Sequence, residues 1–206
     1  MAEEKRAEQI VFPGAIDWTG ENPGMYLKES GDGPFVTLVS FFRVMLSPHG
    51  GGHAVVVLQD PQAKAASTGN FCLTDNETLA RWLVAGYVAN FAVFRDLPAL
   101  AALSYRKLTS CAREGDATAH YGEIISGDGV ELRLSWEGIG EAFALQLPPD
   151  KSATGKHRML SVFAGARDGV ATLNGKRLPG HAVPRDMAER QITTAFLAFA
   201  ESWIRA

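Results

Sequence analysis

The chain is short of the features that announce a compartment, a membrane or a cofactor. Its 206 residues include only two cysteines, Cys72 and Cys111. They lie far apart, each in an apolar or strand-like segment, which predicts buried thiols and not a disulfide or redox pair. No run of about 18 apolar residues occurs, because the richest segment is interrupted by Arg81, Asn90 and Arg95, so no membrane span is expected. The opening MAEEKRAEQ is polar with no apolar stretch behind it, and no secretory leader is expected. Concentrated positive charge is missing too. The formal net charge is −3 with Lys and Arg scattered, which argues against a nucleic-acid partner. The expectation is a soluble cytoplasmic protein.

Catalytic and nucleotide motifs are equally scarce. SPHGGGH (47–53) contains the HGGG of a lipase-type oxyanion loop, but the G-x-S-x-G elbow such enzymes need is absent. TGK (154–156) ends like a phosphate-binding loop. However, Asp150 stands where its glycine belongs, and His157 where a Ser or Thr would hold magnesium. No G-x-G-x-x-G occurs, so no nucleotide is implied. His49 and His53 are weak metal candidates. Three intervening glycines disfavour the helix that would bring them together, and the shell would need further ligands from His120, His157, His181, Asp60 or Glu123. No cofactor is implied.

What the chain does contain is strand and turn signal. Residues 1–33, rich in Gly and Pro, read as an irregular arm pinned by Phe12 and Trp18. Residues 34–75 hold strands: PFVTLVSFFRVML (34–46), apolar on both faces, then HAVVVLQD (53–60) and NFCLTD (70–75). Residues 76–104 read as helices. TDNE (74–77) fits a capping box, Leu79, Trp82, Leu83, Tyr87 and Phe94 share a helical face, and Pro98 opens a shorter helix. An antiparallel meander is expected over 105–178, with turns at 114–116, 126–129, 138–140, 167–169 and 174–175. The spacing of Ile192, Phe196, Phe199 and Trp203 predicts a final helix over 184–206.

The fold class is therefore mainly β, a single domain. About 8–10 antiparallel strands form a barrel or strongly curved sheet, with one inserted and one C-terminal helix. In outline this resembles calycin-type ligand-binding barrels, although no residue motif carries a family resemblance.

Two charged residues stand in apolar strands. VELRLSW (130–136) alternates cleanly, with Val130, Leu132, Leu134 and Trp136 on one face. Pairing it with EAFALQL (141–147) across 138–140 sets Leu134 against Phe143, which merges two apolar faces. Carried back across the Gly127-Asp128 turn, a two- or four-residue loop points Tyr121 and Glu123 to that same inner face. A three-residue loop exposes Glu123 and turns His120 inward. Arg43 interrupts SFFRVML and shares a face with Val39, Phe41 and Met45. It either pairs with Glu123, clamps a ligand carboxylate, or guards a strand edge.

The expected site is thus a barrel interior lined by Arg43, Tyr121, Glu123 and Trp136, with His53 at its rim. The expected function is binding of a small, mostly apolar or amphipathic molecule, with an anionic group facing Arg43. Two alternatives stay open. One is a lyase, isomerase or hydrolase using Glu123, helped by His120, as general acid or base. The other is a structural subunit that forms a homo-oligomer.

Overall fold

The computed structural model describes residues 14–116 and 118–205; Phe12, expected to pin the arm, lies outside them. Strands β1 (Ala15–Glu21), β2 (Gly24–Lys28), β3 (Phe35–Leu46), β4 (Gly52–Leu58) and β5 (Asn70–Thr74) precede helix α1 (Glu77–Gly86). Short 3-10 turns follow at Val88–Asn90 and Pro98–Leu100. Then come β6 (Ser104–Lys107), β7 (Ser110–Gly115), β8 (His120–Gly127), β9 (Val130–Ile139) and β10 (Phe143–Leu147). The chain ends in β11 (His157–Leu173), β12 (Lys176–Arg177), β13 (Pro184–Met187), β14 (Arg190–Thr193) and β15 (Ala195–Arg205).

Thirteen of these strands form one large, curved, mixed sheet in the order β6-β5-β4-β3-β1-β15-β11-β9-β8-β7, with β2, β10 and β12 attached. Among the described pairs only β5–β6 is parallel. The bend is made by β11, which pairs with β10 and β15 over its first half and with β9 over its second. The path stays open. Its end strands β6 and β7 are linked by Leu108 and Thr109, whose amides bond Thr74 O and Ser126 O, each at 2.8 Å.

Folding the sheet over gives it two buried faces. Inside the bend, Met25, Val39, Phe41, Val55, Val57 and Phe71 meet Ile125, Leu132, Leu134 and Trp136. On the other side of the same strands, Leu38, Phe42, Val56 and Cys72 are covered by Leu79, Ala80, Leu83 and Val84 of α1. A strand covered on both sides must be apolar at every position, which is why β3 shows no alternation. Helix α1 is capped by Asn76, whose side chain accepts the Leu79 amide at 3.1 Å. Thr74, the expected cap, sits two residues earlier and accepts the Asn76 amide at 3.0 Å. The helix stops at Gly86, yet Tyr87 and Phe94 of the expected stripe remain buried, on the irregular turns that follow it.

Three expectations are corrected. First, the arm over residues 1–33 contains β1 and β2, both paired with β3 and β15. Second, β9 and β10 do not form a hairpin. Gly140 N bonds Gly165 O at 2.8 Å, and both strands pair instead with β11, where Phe143 opposes Phe163. Residues 167–169 accordingly lie within β11 and make no turn.

Third, the C-terminal helix over 184–206 is a strand hairpin followed by β15. On β15, Ser202 pairs with Leu160 but Phe199 with Val162, so the strand carries one extra residue. Ala200 sits at this bulge with φ +49. The insertion reverses the side-chain alternation, so Phe196 and Trp203, seven apart, share a face as they would in a helix. A bulged strand has imitated the helical period.

Candidate functional site

Strands β8 and β9 meet in a two-residue turn, Asp128-Gly129, with φ of +45 and +73, the hand that matches strand twist. The register places Glu123 opposite Leu134 and Tyr121 opposite Trp136, all facing inward. The Glu123 carboxylate is fully buried. Arg43 reaches it from β3, with Nη2 at 2.9 Å from both carboxylate oxygens, while Nη1 donates to Glu21 at 2.5 Å. Tyr121 also donates its hydroxyl to Glu123, and Cys111 Sγ lies 3.4 Å from Oε2. Arg113 closes the outer side on Glu21 at 2.6 Å.

Burial opposes the charge on Arg43, but the Glu123 carboxylate outweighs it and holds the guanidinium pKa above its ordinary value. Cys111 is pushed up to about 11, first by burial and then by Glu123, so its thiol is a poor nucleophile. Both oxygens of Glu123 are engaged within the protein. This cluster has the composition of a buried ion-pair network and has little acceptor capacity left for a ligand.

The other sequence candidates lie around or away from it. His53 is Arg43's cross-strand neighbour, with Nδ1 2.7 Å from Asp75 and its ring stacked on Phe41. Trp136 packs on Tyr121 and donates its indole N–H to Gly24 O at 3.1 Å. His120 falls on the opposite, outer face of β8, where it meets Glu137 at 2.8 Å. His49 rests against the Trp82 ring. Among the described residues no group of three or more His, Cys, Asp or Glu side chains is arranged to hold a metal.

A different place has the make-up of a binding site. On the outer face of the sheet lies a cavity of about 200 Å³, walled by Phe91, Leu145, Met159, Phe163, Phe196 and Trp203. At its floor is Glu201, 5% exposed, which accepts the Trp203 indole N–H at 2.7 Å. Asn22, held by a 3.0 Å bond from the Ser40 hydroxyl to its Oδ1, also bonds Glu201. Burial raises the Glu201 carboxyl to about 7, against the opposing effect of those two donors. Ala200 is what aims it. Without the bulge, Glu201 would face the other side of β15 from Phe196.

The β13–β14 hairpin contributes Arg185 and Met187 to the cavity wall. Arg185 lies over the Phe196 ring, 4.8 Å from its centroid, and its buried Nε has no hydrogen-bond partner. Sequence reasoning passed over Glu201 and Arg185 because both fell in the expected helix, which would have turned Glu201 outward. The available signal was a lone carboxylate inside the apolar run FLAFAESWI (196–204). A wider groove of about 590 Å³ runs past Gly138, Gly140 and Gly165, but its charged residues Glu141, Arg167 and Arg190 are all exposed.

A hydroxyl–imidazole–carboxylate array borders the cavity. Thr154 Oγ1 lies 2.8 Å from His157 Nδ1, and His157 Nε2 lies 2.6 Å from the buried Asp17. The order is that of a nucleophile, base and orienting acid. Its surroundings differ from a catalytic one. Arg205 neutralises Asp17 at 2.5 Å, and the amides of Lys151, Ser152 and Gly155 bond carbonyls within the 148–156 loop, so they are not free to hold an oxyanion. The array fastens this loop to the sheet and so seats Ala153 in the cavity wall.

The chain matches no protein-family model, no curated protein and no solved structure, so its own side chains carry the functional argument.

Proposed function

We propose that this chain binds a small, mostly apolar molecule in the cavity floored by Glu201 and walled by Phe163, Phe196 and Trp203. The carrying observation is the strained turn at Ala200. A non-glycine residue in the left-handed region costs about 1–2 kcal/mol, and here it serves to direct an ionisable group into an apolar hollow. Apolar walls with a few convergent polar groups are the usual composition of a small-ligand site.

Thermal unfolding with neutral probes (indole, benzyl alcohol, hexanol) tests this, alongside native mass spectrometry of freshly purified protein. At least one probe raises the melting temperature of the wild type and fails to do so in Leu147→Trp, which fills the cavity. Absence of any probe shift together with no co-purified species refutes the proposal.

A second reading, an enzyme using this carboxyl as general acid or base, is favoured by the Glu201 pKa near neutrality. If a bound compound is turned over, Glu201→Gln retains its binding and loses turnover. Equal turnover by the variant leaves binding alone.

A further inference from the structure

We infer that the molecule held in this cavity is an amphipathic carboxylic acid, with its apolar body against Phe163 and Trp203 and its carboxylate on Arg185. The inference rests on the ligand-binding proposal and names the chemical class that the site selects.

Arg185 is the reason. Among the described residues it makes no ion pair or hydrogen bond; its contacts are the face of Phe196 and the neighbourhood of the Tyr26 hydroxyl. By contrast Arg43, set among apolar strands, has Glu21 and Glu123 as carboxylate partners, and Arg106, which also lies over a ring, donates to Thr68 O. A partly buried guanidinium whose Nε is shut off from water without a partner is costly, and burial pulls its pKa below the ordinary value. Its planar fork matches a carboxylate in shape, and the ring beneath it keeps the fork in place.

The remaining polar groups narrow the choice of anion. Among the described residues Glu201 is the one carboxyl lining the cavity, and the other polar residues near it, Asn22, Ser40 and Tyr26, are uncharged and linked to one another. Below pH 7, where Glu201 is mostly protonated, the cavity carries one positive charge, which suits a monoanion. A phosphate monoester would bring more charge, and a sulfate ester more acceptor oxygens, than one arginine can satisfy. Arg185 and Met187 ride on the β13–β14 hairpin, whose base is tied to β2 of the sheet by Tyr26 N bonding Thr194 O at 2.9 Å. The anchor therefore sits on the element that roofs the cavity, and the apolar walls lie on the sheet and the 3-10 turn below.

Isothermal titration of the whole chain with phenylacetate and hexanoate, each beside its primary amide, decides the matter. The wild type is expected to prefer acid over amide by about ten- to a hundredfold, the range of a charge-assisted hydrogen bond. Arg185→Met removes that preference while keeping amide binding, and Arg185→Lys retains part of it. Arg190→Met, which alters an exposed arginine of the same hairpin, leaves it unchanged. Equal wild-type affinity for acid and amide overturns the carboxylate assignment and leaves the apolar-ligand proposal standing. Binding of neither compound, with no effect of the neutral probes above, overturns both. A preference that survives in Arg185→Met places the anion elsewhere and overturns the assignment to Arg185.

Discussion

Phe196 and Trp203 lie seven residues apart on one strand and both face the same cavity, because Ala200 between them takes a left-handed backbone conformation. That single bulge also turns Glu201 from the opposite side of the strand to theirs. The geometry of the proposed site therefore depends on one exposed alanine that touches no ligand.

Substitution at Ala200 should report this strain directly. Glycine enters the left-handed region without penalty, whereas a β-branched residue suffers more than alanine does. Ala200→Val is expected to be about 1–2 kcal/mol less stable than Ala200→Gly in urea unfolding. Because the position is exposed, a packing clash does not account for the difference. Equal stability of the two variants would show that the strand is not bulged there.

Breaking the Arg43–Glu123 pair tests a second element. Arg43→Met leaves a fully buried carboxylate with only the half-exposed Arg113, at 3.7 Å, as a cation and is expected to cost about 3 kcal/mol. Adding Glu123→Gln removes the stranded charge and recovers part of that loss, so the double variant is more stable than Arg43→Met alone. Denaturant unfolding of the two singles and the double gives the coupling directly. Strict additivity would rule out the pair as the reason these two charges are buried.

The inward direction of Glu123 was legible because only parity mattered. The Asp128-Gly129 turn has two residues, so odd-numbered positions of β8 stay on the face of Leu132 and Leu134, as any loop with an even number of residues requires. The strands over 34–46, 53–60 and 70–75 were legible for a related reason, since continuous β-branched and aromatic runs have no helical reading. Phe143 opposing Phe163 was not legible. That pairing spans a loop and depends on β11 having neighbours on both sides, which no local pattern records. Glu201 was hidden by the bulge, because one extra residue converts a period of two into an apparent period of three and a half. The polar pair that stands out in the sequence is tied up within the fold. The ionisable groups of the cavity lie in the segment whose pattern was misleading.

The Asp17–His157 array should show at the acid end. Burial by itself would raise the Asp17 carboxyl, but hydrogen bonds from Arg205 and His157 prevail and hold it below its ordinary value of 3.8. A depressed carboxyl contributes stability that is present above 3.8 and is lost as pH falls through the lower folded value. Asp17→Asn is therefore expected to lower the melting temperature at pH 6 and to flatten its decline below 3.8. Trypsin should also cut at Lys151 or Lys156 faster in this variant, since the array fastens their loop. Unchanged cleavage would detach the array from loop anchoring.

Glu201 has the opposite sign. Its carboxyl is raised from 4.5 to about 7 by burial, so the unfolded chain holds fewer protons than the folded one between those values. Stability then falls as pH rises through that window, and the penalty is complete above 7. The difference is on the order of 3 kcal/mol at alkaline pH. Glu201→Gln keeps an acceptor for the Trp203 indole and removes the charge. Relative to wild type the variant should gain stability steadily from pH 5 to pH 8 and hold a constant advantage beyond. Tyr26 on β2, itself raised to about 12, and Arg185 on β13 are the titratable groups facing this carboxyl, and neither changes charge in that window. The difference in pH slope between wild type and variant in urea unfolding therefore belongs to Glu201. An unchanged slope in Glu201→Gln would show that this carboxyl does not titrate in the window and would remove the buried acid from the proposed site.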